Sequence, residues 1–113
     1  VYGARMDTDG KYTEVMIRWL DCIYEGRSPL IYGDGSTTMD FVYVRDVAKA
    51  NVAALLSEVT DEVFNIGNCK ETSLKELLHV LLKVNDSIRR SEHKEENSIN
   101  SVYRRLANIV KAE

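Results

Sequence analysis

Residues 29–56 read PLIYGDGSTTMDFVYVRDVAKANVAALL, and the fold is decided there. Ser28-Pro29 blocks any helix arriving from upstream, because the residue before a proline is pushed out of the α region. Leu30, Ile31 and Tyr32 then form a short apolar strand, closed by the turn residues Gly33-Asp34-Gly35. From Met39 to Val44 the alternation is less clean, but Phe41, Val42, Tyr43 and Val44 are strong strand formers and predict a second strand. Val47, Ala48, Ala50 and Val52 to Leu56 make a very apolar helix rich in small residues, which is predicted to be largely buried because small side chains let another element approach closely. That much turn chemistry between two apolar segments points to a turn that touches something.

Upstream, Val15, Met16, Trp19, Leu20, Cys22 and Ile23 recur at three- and four-residue spacing, which predicts a helix from Lys11 to Glu25 with Trp19 in the core. Asp9-Gly10 precedes it as a turn, Thr13 is a candidate cap, and Gly26 is placed to end it in the left-handed region. Downstream, Val63 to Ile66 predicts a third strand. Ser73-Leu74-Lys75-Glu76 is a capping box opening a leucine-rich helix through Leu77, Leu78, Leu81 and Leu82 to about Val84. Asn85 to Asn100 is polar apart from Ile88 and Ile99 and reads as a loop, and a last short helix is expected from Arg105 to Lys111. The reading is a mixed α/β unit with three short strands and three or four helices, a single domain at most.

With 113 residues, the chain is near the size at which one core can carry stability. A net charge of −3 argues against nucleic acid or a membrane surface as partner, since both need clustered cations. Arg89 and Arg90 are followed at once by Glu92, Glu95 and Glu96, so their field nearly cancels. No apolar run approaches the roughly 20 residues that span a bilayer, and a cytoplasmic location is expected. Cys22 and Cys69 read as reduced thiols, and with His79 and His93 they lack the spacing of a metal site. The chain opens on Val1-Tyr2-Gly3, which reads as the end of a strand meeting a turn, so a preceding segment is expected.

Five stretches, in order, resemble the extended short-chain dehydrogenase/reductases of the NAD-dependent epimerase/dehydratase family, which act on nucleotide-sugars. Val1-Tyr2-Gly3-Ala4-Arg5 is similar to the family's asparagine-valine-tyrosine-glycine-proline-arginine turn, without the asparagine and with alanine for proline. Pro29 to Gly35 resembles the nucleotide loop, and Asp40 to Ala48 resembles the strand and helix start that follow it. Phe64-Asn65-Ile66-Gly67 with Ser73 to Leu77 resembles the next strand and helix. Arg104 to Asn108 with Lys111-Ala112 resembles a closing segment that usually reads alanine-aspartate and then serine-lysine-alanine. The likeness covers essentially the whole chain and is to the carboxy-terminal, substrate-binding portion of that α/β fold, in enzymes similar to UDP-glucose 4-epimerase.

The resemblance implies a single incomplete domain over residues 1–113, with the cofactor half absent. That half carries a glycine-rich turn against the dinucleotide pyrophosphate and a tyrosine–lysine pair for proton transfer. None of the six tyrosines has a lysine four residues on, and no glycine-rich dinucleotide turn is present, so no catalytic, cofactor-binding or metal-ligating residue is assigned. NAD is expected in the intact enzyme only. The expected partner is a nucleoside diphosphate sugar, with a homodimer of the intact enzyme allowed.

The same resemblance places Tyr32 against the nucleotide base and gives the base edge to backbone groups of Leu30 and Ile31. It also puts Met39 where many members carry an arginine on the pyrophosphate. A thioether cannot replace a guanidinium there, which leaves Arg104 or Arg105 to stand in, although the arginine-x-glycine-aspartate pattern is lacking. Arg5 reads equally as a surface residue or a ligand contact. Asp46 reads as the helix-dipole partner and Asn65 as a tie to a neighbouring loop. Two other readings stand beside the substrate-binding one. The first is a non-catalytic module that kept the fold and lost the chemistry. The second is a gene piece whose unpartnered strands would leave an exposed apolar face.

Overall fold

The computed structural model describes residues 1–9, 14–86, 91–94 and 102–113. Thr13, Gly10 of the first turn, Ile88, the Arg89–Arg90 pair, Glu95, Glu96 and Ile99 lie outside the described residues.

Helix α1 runs over Val15–Tyr24, and Gly26 ends it at φ 75°, with its amide and that of Arg27 returning to the carbonyls of Ile23 and Cys22. Strand β1, Leu30–Tyr32, pairs in parallel with β4, Glu92–Lys94, with Ile31 opposite His93. Strand β2, Thr38–Asp40, pairs antiparallel with β3, Glu71–Ser73, with Met39 opposite Thr72. Helix α2 covers Val44–Leu56 and α3 covers Leu74–Val84. The capping box is made as the sequence predicts: the Ser73 Oγ accepts from the Glu76 amide at 3.2 Å, and the Glu76 carboxylate accepts from the Ser73 amide at 2.7 Å.

The core lies between α1, α3 and β1. Trp19, Ile31, Leu77 and Leu78 are buried together, with Val15, Met16, Phe41, Leu74, Leu81 and Leu82 packed around them. The Trp19 indole N–H donates to the Leu30 carbonyl at 2.8 Å, fixing α1 to β1. Cys22 and Cys69 are free thiols. Among the described residues no helix is long and apolar enough to cross a membrane.

Five expectations are corrected. The second strand is shorter and earlier than Met39–Val44: it ends at Asp40, and Val44 already opens α2. The amino-terminal segment pairs there instead, with the Tyr2 amide donating to the Val42 carbonyl at 2.9 Å and the Val44 amide to the Tyr2 carbonyl at 2.8 Å. Val63 to Ile66 is not a strand, since no ladder partner reaches it among the described residues. The polar stretch after Asn85 contains β4, whose backbone completes β1 whatever its side chains are. Residues 105–109 are not helical, and a turn follows at 110–112. Finally, α2 has no buried residue: Val52, Leu55 and Leu56 are 56%, 82% and 79% exposed.

Candidate functional site

Residues 102–107 lie as a strap along the free edge of β2. The Thr38 amide donates to the Tyr103 carbonyl at 2.9 Å, and the Arg105 amide donates to the Thr38 carbonyl at 3.1 Å. Between this strap, β2, the amino-terminal segment and the start of α1 opens a cleft of about 520 Å³. That is within the usual size range of small-ligand sites. Met6, Met16, Met39 and Phe41 give it an apolar wall, and Glu14, Asp40, Arg104 and Arg105 are its charged groups.

These four charges are not equivalent. Arg104 makes a two-point fork with Glu71: its Nε donates to Oε1, and its Nη2 donates to Oε2 at 2.9 Å. The Thr38 hydroxyl donates to the same carboxylate at 2.9 Å. Arg104 first, and Thr38 second, hold the Glu71 carboxyl below the usual carboxylate range; the carboxylate in turn raises the Arg104 guanidinium. Asp40 accepts backbone amides from two segments remote in sequence, Asn68 and Cys69 on one side and Ala107 on the other. Glu14 precedes α1 at the cleft edge, and its side chain does not cap that helix. Arg105 is the cleft's one cation without an ion-pair partner among the described residues.

The expected site residues therefore separate. Arg104 and Arg105 come to the cleft, beside Met39. Leu30, Ile31 and Tyr32 do not line it. The Leu30 carbonyl is taken by Trp19, Ile31 is 2% exposed, and of the three only the Tyr32 ring stands on the surface, at 53%. The Gly33-Asp34-Gly35 turn has its own local reason. Both glycines sit at positive φ (77° and 75°), and Asp34 accepts from the Ser36 hydroxyl and amide at 2.6 and 2.9 Å, which lowers its carboxyl pKa. Asp46 stands in the first turn of α2, as read from the sequence, and pairs with Lys49. The Asn65 amide ties to the Asn108 carbonyl at 3.3 Å.

Sequence reasoning missed Asp40 and Glu71. A carboxylate within a predicted strand, with no cation at strand or helix spacing, was the available signal for Asp40. Glu71 offered none, because its partner lies 33 residues away.

The sequence pattern of the NAD dependent epimerase/dehydratase family matches residues 1–67. The chain belongs to that family. A provisionally named UDP-glucose 4-epimerase of Methanocaldococcus jannaschii is 47% identical over 81 residues, which are 72% of this chain and 26% of that protein. Among solved structures, the UDP-N-acetylglucosamine 4-epimerase of Methanobrevibacter ruminantium M1, in complex with UDP-N-acetylmuramic acid, aligns at TM-score 0.90 and 30% identity over 97% of this chain. The UDP-glucose 4-epimerase of Thermotoga maritima with UDP-glucose aligns at TM-score 0.88 and 30% identity over 98%. The chain spans about a third of the length of those two structures, 35% of each. The fold is thus a substructure of extended short-chain dehydrogenase/reductases.

Proposed function

We propose that this chain is the substrate-binding portion of an NAD-dependent nucleotide-sugar epimerase or dehydratase, residues 1–113 forming one incomplete domain. The single observation that carries the reading is that Arg105 lines the cleft with Met39 and has no ion-pair partner among the described residues, while Arg104 is committed to Glu71. Arg105 holds the diphosphate of a UDP-sugar, supplying the cation that Met39 cannot. The Met- and Phe-lined wall covers the neighbouring face of the ligand, and the Tyr32 ring, outside the cleft, meets the base end. Binding energy spent on the nucleotide orients the sugar for chemistry that this chain does not perform.

NAD belongs, in this reading, to the portion of the enzyme beyond this chain. The described residues form two-stranded sheets rather than a doubly wound one, and the sequence has no glycine-rich dinucleotide turn, so its own residues do not fit the cofactor. The open face of α2 is suited to receive that second portion.

Calorimetric titration of the chain with UDP tests the proposal. Saturable one-to-one binding that Arg105→Ala weakens about tenfold supports it, the loss expected for one charge-assisted contact. An unaffected Arg105→Ala variant would refute it. A second reading, a module that binds nucleotide-sugar without turnover, draws on Met39 in place of the family arginine. Turnover of UDP-glucose by the protein joined to its cofactor half excludes that second reading; binding without turnover favours it.

A further inference from the structure

The strap carrying Arg105 is bonded to Thr38, Glu71 and Asp40, and the Asp40 side chain joins three pieces. The Asp40 carboxylate accepts the Asn68 amide on Oδ1 at 2.8 Å, and the Cys69 and Ala107 amides on Oδ2 at 3.0 and 3.3 Å. Gly67 makes this approach possible. A Cβ there would lie 2.7 Å from the Asp40 Oδ2 and 2.7 Å from the Ala107 Cβ, so even alanine would push the loop and the strap apart. Arg104 grips Glu71 from the same strap, one residue before Arg105. We propose that Asp40 is a positioning residue: its carboxylate clasps the 67–69 loop to the strap at Ala107 and, with the Glu71–Arg104 fork, fixes the strap so that Arg105 faces the cleft.

The chemistry suits that role. A carboxylate accepting three backbone amides makes charge-assisted bonds that a neutral amide side chain cannot all replace, since its NH₂ group would meet an N–H donor. Asp40 also lines the cleft, where its negative charge opposes an anionic ligand. Electrostatics alone therefore predicts tighter UDP binding on its removal, and positioning predicts weaker binding. The two effects have opposite signs.

The part of this inference that concerns ligand rests on the nucleotide-binding reading above; the clasp itself does not. Amide hydrogen exchange on the chain is the first measurement. Asp40→Asn should speed exchange at Asn68, Cys69 and Ala107 about tenfold or more while leaving α3 unchanged, as expected for losing hydrogen bonds to a charged acceptor. Unchanged exchange at these three amides overturns the clasp. The second measurement is UDP affinity in a double-mutant cycle. Asp40→Asn and Arg105→Ala should each weaken binding about tenfold, and the double variant should be no weaker than Arg105→Ala alone to within about twofold. Additive losses, or tighter binding by Asp40→Asn, overturn positioning through Arg105. Should the wild-type chain not bind UDP, the nucleotide reading falls and the exchange result still decides the clasp. If Asp40→Asn fails to fold, Glu71→Gln tests the same strap: exchange at the Arg105 amide should quicken, and no change there counts against the proposal.

Discussion

Helices α1 and α2 are both amphipathic and both rich in apolar residues, yet they end in opposite surroundings. On α1, Trp19 is 2% exposed and packs with Ile31, Leu77 and Leu78. On α2, Leu55 and Leu56 are 82% and 79% exposed. The difference lies not in the helices but in what the chain puts opposite them: α1 faces β1 and α3, whereas α2 faces solvent. Apolar surface left in water forgoes about 25 cal/mol per Å², and contiguous patches of this kind mark interaction sites or aggregation liabilities. One side of the molecule is a finished core, and the other is composed for burial without being buried.

The sharpest way to break that contrast is to truncate one residue on each side. Trp19→Ala removes the largest core side chain together with its hydrogen bond to Leu30. It should cost about 3–5 kcal/mol and lower the thermal midpoint by more than about 10 °C. Leu55→Ala should change stability by no more than about 0.5 kcal/mol. Calorimetric melting of both variants decides; a Leu55→Ala loss comparable to that of Trp19→Ala would show that α2 is packed in solution and dissolve the comparison. Replacing both Leu55 and Leu56 by Lys should also reduce binding of a hydrophobic dye without lowering the midpoint.

A smaller effect probes the edge of the core. Ser73 caps α3, and the reciprocal bond from its amide to Glu76 completes the box. Ser73→Ala should cost about 1 kcal/mol. The accompanying loss of order belongs in the first turn of α3, visible by amide exchange, with α2 untouched. A variant as stable as the parent would mean that packing of Leu77 and Leu78 alone sets this helix.

What the sequence made legible follows the same division. The capping box, the glycine after α1, the Trp19 anchor and the Leu74–Val84 stripe are local signals, and each is found where the spacing puts it. The features that escaped depend on partners far along the chain. Strand β4 is Glu92-His93-Lys94, polar throughout, and is a strand only because β1 offers it a backbone edge. The segment after Arg104 has helix-compatible residues but is held by bonds to Thr38 and Asp40 instead. The burial of α2, written clearly in its alanines, is not realised among the described residues. At the cleft, the sequence offers Arg104 and Arg105 as equivalent stand-ins, and their difference was not legible, because Glu71 selects Arg104 only in three dimensions.

That selection gives the smallest prediction. The Glu71 carboxyl sits below its ordinary value of 4.5 in the folded chain, chiefly through the Arg104 fork and then through Thr38. A carboxyl whose folded pKa is depressed binds protons more weakly in the native state than in the unfolded one, so its contribution is complete above the ordinary value and fades as pH falls toward the folded one. The Arg104 side chain is 70% exposed and that of Glu71 30%, so solvent screening acting mainly through the arginine keeps the effect modest. Glu76 and Asp34 are depressed as well, by Ser73 and Ser36 respectively, so they too contribute stability that is lost on acidification. Glu71→Gln should therefore flatten only part of the stability loss as pH falls from neutral to below the ordinary carboxylate value, and the difference from wild type should shrink in high salt. Because the fork joins the strap to β3 on the finished side of the molecule, amides of the strap should respond to that acid range and those of α2 should not. An acid response in α2 equal to that of the strap would mean the two regions unfold as one unit, whatever their difference in burial.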